Sequence, residues 1–125
     1  MKVISTKEAP AAIGPYSQAI VHNGMVYCSG QISLTAEGAG PIGSTAAQQA
    51  VQVFKNVKAV LGAAGTDMSR VVKTTIFLVD MNDFASVNEV YAAAFGEHRP
   101  ARSTVAVSGL PKGVRVEIEV MAAVD

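Results

Sequence analysis

The stretch that decides the fold is Val114-Arg115-Val116-Glu117-Ile118-Glu119-Val120, in which apolar and charged residues alternate without a break. A β-strand sends successive side chains to opposite faces, so this stretch has one apolar face and one face that carries Arg115, Glu117 and Glu119. The apolar face belongs against a hydrophobic core. We therefore predict a strand here, in a sheet that is covered on one face and open on the other.

The segment just before it, Pro100-Ala101-Arg102-Ser103-Thr104-Val105-Ala106-Val107, has the same period of two and places Arg102 and Thr104 on one face. Six residues link the two segments. If they close an antiparallel turn, a symmetric register brings Arg102 near Glu119 and Thr104 near Glu117, and the linker's Gly and Pro leave room for a bulge that shifts this register. We expect Arg102 and the two glutamates to share the uncovered face, as the leading candidate for a functional site.

A turn signal and a cap signal organise the first half of the chain. His22-Asn23-Gly24 separates two strand-like stretches between residues 16 and 32, and Asn-Gly predicts a β-hairpin because both residues tolerate positive φ. Thr45-Ala46-Ala47-Gln48 has the spacing of a capping box and predicts the start of a helix that Gly65 ends. The apolar residues of this helix follow the spacing of a buried stripe, which comprises Ala46, Ala50, Val53, Phe54, Val57, Val60, Leu61 and Ala64.

The second half of the chain adds a strand and a helix before the final two strands. Residues 71–79 are β-branched and apolar enough for a strand, and residues 80–83 offer caps for a second helix that Gly96 ends. The apolar stripe of that helix comprises Phe84, Val87, Tyr91 and Phe95. The resulting order, ββαβαββ, predicts an α+β fold in which two helices cover one face of a single mixed sheet.

Length and composition restrict the class of protein. The chain has 125 residues, half of them hydrophobic, and no compositional break, which predicts one domain over residues 1–125 with a proper core. Ten basic and ten acidic residues cancel, and a pI near 6.7 gives no electrostatic footprint for nucleic acid. Because only 16% of the residues are charged, we expect spare apolar surface that further copies cover, in a homo-oligomer.

The cysteine and the histidines predict neither a disulfide nor a metal site. Cys28 is the single cysteine, so it cannot form an intramolecular disulfide, which favours a reducing compartment. Because Cys28 lies in an apolar strand, we expect it to be a small core residue. We expect His22, beside the Asn-Gly turn, to be exposed and His98 to border the candidate site; neither has metal-ligand spacing. With no signal-peptide stretch and no membrane-spanning run, the prediction is a cytoplasmic protein without a membrane partner.

A set of short segments carries a further signal: Ala11-Ala12-Ile13-Gly14-Pro15-Tyr16-Ser17-Gln18-Ala19, Ser29-Gly30-Gln31-Ile32, Asn56-Val57-Lys58-Ala59-Val60-Leu61, Val72-Lys73-Thr74-Thr75, Asn82-Asp83-Phe84, Pro100-Ala101-Arg102-Ser103, Leu110-Pro111-Lys112-Gly113 and Val116-Glu117-Ile118-Glu119. Together they resemble the RidA (YjgF) family of reactive-intermediate deaminases, over nearly the whole chain. The resemblance implies a chorismate-mutase-like fold and a homotrimer with a ligand cleft at each subunit interface. It also implies hydrolysis of reactive enamines and imines to 2-keto acids and ammonia, with no cofactor and no metal.

The resemblance assigns roles to individual residues. Arg102 would hold the substrate carboxylate, since a guanidinium grips a carboxylate with two parallel hydrogen bonds. Glu117 would position or activate the attacking water and pass a proton to the departing amine. The residues lining the cleft would be Tyr16, Ser29, Gly30, Phe84, Asn88 and Thr104. Two departures from the family bear on substrate preference: Thr104 stands where the best-known members have cysteine, and residues 96–100 form a shorter segment.

Most of these residues also have a structural explanation. Phe84 and Asn88 fit a core phenylalanine beside an asparagine near a helix end. Arg102 fits a salt bridge with Glu117, Glu119 or a neighbouring subunit, and the glutamates fit the solvated face of a strand, the role we expect for Glu119. Tyr16 fits ordinary aromatic packing at a strand start, and Ser29 fits a local hydrogen bond.

Two other functions stay open besides imine hydrolysis. One is a binding or regulatory protein that uses the Arg102 cleft to sense a small carboxylate, such as a 2-keto acid, without turnover. The other is ribonuclease activity, against which the neutral charge and the absence of a paired-histidine arrangement count.

Overall fold

The structure, a computed structural model, describes residues 1–125. The elements in chain order are β1 (Lys2–Ile4), β2 (Ala19–His22), β3 (Met25–Cys28), α1 (Ala46–Ala63), β4 (Val71–Leu78), α2 (Phe84–Phe95), β5 (Ala101–Ala106) and β6 (Val116–Ala123). The strands form one sheet in the order β1-β2-β3-β6-β4-β5, antiparallel except for β4 and β5. The predicted fold class is confirmed, and the short edge strand β1 is an addition to it.

Local sequence signals set the turns and the helix ends. Asn23 and Gly24 have φ of 49° and 76° and connect β2 to β3, so the predicted hairpin is confirmed. The Thr45 side chain accepts from the backbone N–H of Gln48, and the Gln48 side chain accepts from that of Thr45, which is the predicted capping box of α1. Gly65, with φ of 86°, follows the end of α1, where a left-handed residue stops a helix.

The core lies between the two helices and one face of the sheet. The sheet contributes alternate residues of its central strands, Thr74, Ile76 and Leu78 of β4 and Val116, Ile118 and Val120 of β6. The helices contribute the predicted stripes, with Val53, Phe54, Val57, Val60 and Leu61 of α1 and Val87, Tyr91 and Phe95 of α2 buried. Because both helices cover the same face, the opposite face stays open, and its side chains on β6 are only half-buried.

The predicted pairing of β5 with β6 is wrong. β4 lies between them, hydrogen-bonded to β5 in parallel and to β6 in antiparallel orientation. The reason is that α2 connects β4 to β5, and a strand–helix–strand connection returns the chain parallel to its first strand. β5 therefore takes the edge of the sheet beside β4, and the linker leads the chain past β4 before β6 begins.

The register also corrects the predicted faces. Arg102 lies opposite Thr74, and Thr74 lies opposite Val120, so Arg102 belongs to the face that the helices cover. Glu117 lies opposite Phe77 and belongs to the open face, as expected. The expectation that Arg102 shares a face with the glutamates is therefore wrong, because residues directly opposite each other on neighbouring strands point the same way.

Candidate functional site

Arg102 lies at the edge of the sheet, where side chains of α2 surround its guanidinium. Its Nη1 donates a hydrogen bond of 2.6 Å to Asn88 Oδ1. Its Cζ lies 4.7 Å from the ring centroid of Tyr91 and 5.4 Å from that of Phe84, within the range of cation–π attraction. Phe84, Asn88 and Tyr91 are spaced by four and three residues, so they share one face of the helix. We call these four residues the arginine cluster.

Tyr91 anchors the arginine cluster to the core. Its hydroxyl group and Thr74 Oγ1 form a buried hydrogen bond of 2.8 Å. Its ring also packs edge-on against Phe54 of α1, with 5.9 Å between centroids. The sequence prediction included Phe84, Asn88 and Arg102 but left Tyr91 as a core residue. The available signal was its helical spacing from Phe84 and Asn88, which puts all three on one face.

The charge of Arg102 has no carboxylate partner within the chain. The two ion pairs are Arg70 with Asp125 and Arg115 with Asp83, so a bridge from Arg102 to Glu117 or Glu119 of the same chain is ruled out. Two residues along β5 and on the same face, Thr104 has a buried hydroxyl oxygen without a hydrogen-bond partner. A guanidinium without a carboxylate partner is suited to an anionic ligand.

A cavity of about 500 Å³ adjoins the arginine cluster. It is lined by Asn88, Tyr91, Ala92, Arg99, Pro100 and Arg102. His98, which we expected to border the site, is close to this cavity in sequence but is not among the residues that line it. Its Nε2 lies 2.7 Å from the carbonyl oxygen of Val71, so its role is structural.

Glu117 lies on the open face of β6, with its carboxylate against the backbone of Gly30. A Cβ added at Gly30 would lie 2.1 Å from Glu117 Oε2 and 2.8 Å from its Cδ, so only glycine fits beneath the carboxylate. Burial raises the pKa of the Glu117 carboxyl, and the nearby negative charge of Glu119 raises it further. A carboxyl group with a raised pKa holds a proton more readily than an ordinary one, which suits it to accept and return a proton.

The segment that carries Gly30 is tied to the strands on both sides. Gln31 and Ile118 exchange two backbone hydrogen bonds, of 2.9 and 3.1 Å. The Ser29 N–H donates to the carbonyl oxygen of Gln18 at 2.9 Å, and the Ser29 hydroxyl donates to that of Ser17 at 2.6 Å. Ser29 therefore makes the local hydrogen bond that its structural explanation anticipates, and it fixes the backbone beside Gly30.

Two buried polar residues of α1 hold the backbone of neighbouring segments, the loop after Gln31 and the residue before β6. Asn56 Nδ2 donates to the carbonyl oxygens of Ile32 and Leu34, at 3.0 and 2.9 Å. Gln49 accepts from the backbone N–H of Arg115, just before β6, at 2.8 Å. The sequence prediction missed both residues. Their signal is a polar residue inside an apolar helix stripe, where burial requires a hydrogen-bond partner.

Tyr16 lies on the same side as Gly30. Both line a cavity of about 430 Å³ that Lys112 also borders, and Tyr16 is 55% exposed. We call Tyr16, Ser29, Gly30 and Glu117 the glutamate cluster. The structure thus divides the predicted site residues into two groups: Phe84, Asn88, Arg102 and Thr104 lie on the helix-covered side, and the glutamate cluster lies on the other.

The remaining titratable candidates behave as packing or surface residues. Cys28 is buried, as predicted, and burial raises the pKa of its thiol to about 12. His22 is exposed, also as predicted. No three His, Cys, Asp or Glu side chains are grouped to hold a metal ion. None of the helices has the length and apolar character needed to cross a membrane.

Known proteins share both the sequence and this fold. The family model described as Endoribonuclease L-PSP matches residues 6–124. The Mus musculus protein named 2-iminobutanoate/2-iminopropanoate deaminase is 49% identical over 97% of this chain and 90% of its own length. The structure of RidA from an Antarctic Psychrobacter bacterium has a TM-score of 0.93 and 44% identity, covering 99% of this chain and 100% of that chain. E. coli TdcF with bound serine has a TM-score of 0.93 and 43% identity, covering 100% of both chains.

The fold and these similarities define the class: a small single-sheet α+β protein of the fold that RidA and TdcF have. Within that class, the chain belongs to the Endoribonuclease L-PSP family, and its resemblance to the RidA proteins is confirmed.

Proposed function

We propose that this protein is a deaminase that hydrolyses 2-imino acids and their enamine tautomers, including 2-iminobutanoate and 2-iminopropanoate, to 2-keto acids and ammonia. The observation that carries the proposal is the near-half identity, over nearly the full chain, to a protein named for this reaction. Human and rat relatives bear the same name at 47% and 48% identity. The reaction class then gives each cluster of the site a role.

Arg102 is proposed to bind the substrate carboxylate. Its guanidinium has five N–H donors, and Asn88 takes one of them, which leaves a fork for two parallel hydrogen bonds to a carboxylate. The rings of Phe84 and Tyr91 fix the plane of the guanidinium and therefore the orientation of the substrate. Serine, the ligand of E. coli TdcF, carries the same carboxylate next to a carbon–nitrogen bond.

Glu117 is proposed to manage the protons. Its carboxylate accepts a proton from the water that adds to the C=N carbon and returns it to the nitrogen, which gives a neutral carbinolamine. Glu117 then takes the proton of the new hydroxyl group and passes it to the amine nitrogen as the C–N bond breaks, so that ammonia leaves and the keto C=O forms. One water is consumed, and one 2-keto acid and one ammonia are formed. Because an imine is already electrophilic, positioning and proton transfer suffice for catalysis.

A complete site is proposed to form between copies of the chain, in a homotrimer. Arg102 and Glu117 lie on opposite faces of the sheet, so one protomer does not direct both at the same substrate. β5 is an edge strand, and its Val105, which lies on the open face, is 41% exposed, which favours contact with a second copy. In this arrangement the arginine cluster of one subunit faces the glutamate cluster of the next.

The first experiment measures the reaction itself. 2-Aminoacrylate and 2-iminobutanoate are generated by a threonine dehydratase, and the release of ammonia and keto acid is followed. Wild type should accelerate release, and Arg102→Ala should lower kcat/KM by about a hundredfold, because two charge-assisted hydrogen bonds are lost. Arg70→Ala removes an exposed arginine elsewhere and should leave the rate unchanged. No acceleration by folded wild type would contradict the proposed reaction.

The second experiment tests the shared site. Arg102→Ala and Glu117→Gln chains are unfolded together and refolded as a mixture. If each site takes its arginine from one subunit and its glutamate from the next, about one quarter of the sites recover both groups in a random mixture. Activity of the mixture no higher than the average of the two variants would show that each site belongs to a single chain.

The structure of TdcF with bound serine also suits a second candidate, a carboxylate-binding protein without turnover. Glu117→Gln separates the two functions. A binder keeps its affinity for a 2-keto acid and shows no rate to lose, whereas a deaminase keeps the affinity and loses most of its rate, since general acid–base catalysis contributes roughly a hundredfold or more.

A further inference from the structure

The cavity beside the arginine cluster is lined by two arginines. Arg99 and Arg102 both face this space of about 500 Å³, and the other lining residues are Asn88, Tyr91, Ala92 and Pro100. No acidic side chain of the same chain lines it. A cavity whose charged groups are all of one sign attracts ligands of the opposite sign.

Neither guanidinium is neutralised within the chain. Arg102 donates to the amide oxygen of Asn88, and Arg99 Nη1 donates to the backbone carbonyl oxygens of Gly96 and His98. The two ion pairs of the chain involve other arginines. The hydrogen-bond partners of Arg99 and Arg102 are neutral, so both positive charges are retained. Most N–H groups of each guanidinium stay available to a ligand.

The position of Arg99 is fixed by the short connection between α2 and β5. Gly96, with φ of 62°, ends α2, and β5 begins at residue 101. His98 anchors the connection through its Nε2 contact of 2.7 Å with the carbonyl oxygen of Val71. The contacts of Arg99 with Gly96 and His98 hold its guanidinium beside this anchored backbone. These contacts hold Arg99 at the wall of the cavity.

We infer that Arg99 is a specificity-determining residue that binds a second carboxylate, so that the preferred substrates are dicarboxylic 2-imino acids. One carboxylate satisfies the fork of Arg102, and the second guanidinium in the same cavity attracts a further negative charge. The inference rests on the proposed function for the reaction and adds the class of substrate. A side chain with a terminal carboxylate reaches Arg99 while its 2-carboxylate stays on Arg102.

Binding tests the inference without turnover. 2-Ketoglutarate and 2-ketopentanoate have five carbons each and differ by the terminal carboxylate, and calorimetry gives their dissociation constants. Wild type should bind the dicarboxylate about fivefold more tightly. Arg99→Ala should bring the ratio to one, Arg99→Lys should keep part of it, and Arg70→Ala should keep all of it. A wild-type ratio of one, or a ratio unchanged in Arg99→Ala, would overturn the inference.

Turnover separates this inference from the proposed function. An amino acid oxidase, with catalase present, forms 2-iminoglutarate from glutamate and 2-iminopentanoate from norvaline. Arg99→Ala should lower kcat/KM about fivefold for the first substrate only. Equal effects on both substrates would overturn the role of Arg99 and leave deamination intact. If neither imine is hydrolysed faster than in buffer, the proposed reaction fails, and the binding ratio alone decides whether Arg99 selects dicarboxylates.

Discussion

The arginine cluster and the glutamate cluster hold their charged groups by different means. Arg102 is held by side chains: two aromatic rings and an amide from one face of α2. Glu117 is held by backbone, because its carboxylate lies directly on Gly30, and the segment around Gly30 is hydrogen-bonded to β6. The comparison shows that the arginine depends on helix packing, whereas the glutamate depends on the absence of a side chain at one position.

The two clusters also differ in electrostatics. The neutral partners of Arg102 leave its charge available to a ligand. The surroundings of Glu117, which are partial burial and the negative Glu119, oppose its charge and raise its pKa. One cluster is therefore suited to bind an anion and the other to exchange a proton, and substitutions in the two clusters should affect different kinetic constants.

The largest effect should come from Gly30→Ala, which tests whether Glu117 requires a residue without a side chain at position 30. The new Cβ would lie 2.1 Å from Glu117 Oε2, so the carboxylate has to move. Because the obstructed group is the end of a flexible side chain, we expect the protein to fold, with kcat lowered about a hundredfold by the misplaced proton acceptor. KM should change little, since Arg102 is untouched.

Gly62→Ala is the matched control for this substitution. Gly62 lies inside α1, and a Cβ there meets nothing within 4 Å, so the variant should keep full activity and gain about 0.5–1 kcal/mol of stability. Kinetics and urea unfolding of both variants supply the measurements. Normal kcat in Gly30→Ala would show that the position of the Glu117 carboxylate does not limit the reaction.

Substitutions in the arginine cluster should raise KM, and Tyr91→Leu tests this expectation. Tyr91→Leu removes the ring beneath Arg102, and we expect KM to rise about tenfold as a cation–π contact is lost. Tyr91→Phe keeps the ring and removes only the bond to Thr74, so it should keep KM within about twofold and cost about 1 kcal/mol of stability. Steady-state kinetics on 2-iminobutanoate distinguish the two variants.

Phe95→Leu is the control that tests whether the role of Tyr91 is merely structural. Both residues are 6% exposed and lie in the same aromatic group, but Phe95 has no contact with Arg102. Phe95→Leu should therefore lose stability without a change in KM. If Phe95→Leu and Tyr91→Leu raised KM alike, the position of Arg102 would depend on core packing in general and not on the ring beneath it.

The fold could be predicted from the sequence because its signals are local. The Asn-Gly turn, the Thr45 capping box and the alternation in residues 114–120 each specify a structure within a few residues, and the structure contains all three. The alternation also singled out Arg102 and Glu117 as candidates, and the family resemblance gave them roles and added Gly30 as a site residue. Strand β1 was not predicted, because its three residues are too few to show the alternation of a strand.

The relation between the two clusters could not be predicted, because it depends on which strands are neighbours. Alternation gives the two faces of each strand but not the register between strands. The strands nearest in sequence, β5 and β6, were expected to pair, and the insertion of β4 between them moved Arg102 to the opposite face from Glu117. Asn56 and Tyr91 were missed for a related reason, since their partners lie on other elements.

The smallest effect sharpens the electrostatic contrast. The folded-state pKa of Glu117 is raised above its ordinary value of 4.5, so its contribution to stability is complete below that pH and is lost as the pH rises through the folded-state pKa. Glu117→Gln stays neutral throughout and avoids this loss. At pH 7 the variant should be more stable than wild type, by a small margin because solvent screens a half-buried carboxylate, while its activity falls. The difference should vanish below pH 4.5, where wild type is protonated in both states. Urea midpoints at equal protein concentration, measured from pH 4 to pH 8, give the result. A variant that is less stable than wild type at pH 7 would show that its surroundings stabilise the ionised carboxylate, which would contradict the raised pKa of Glu117.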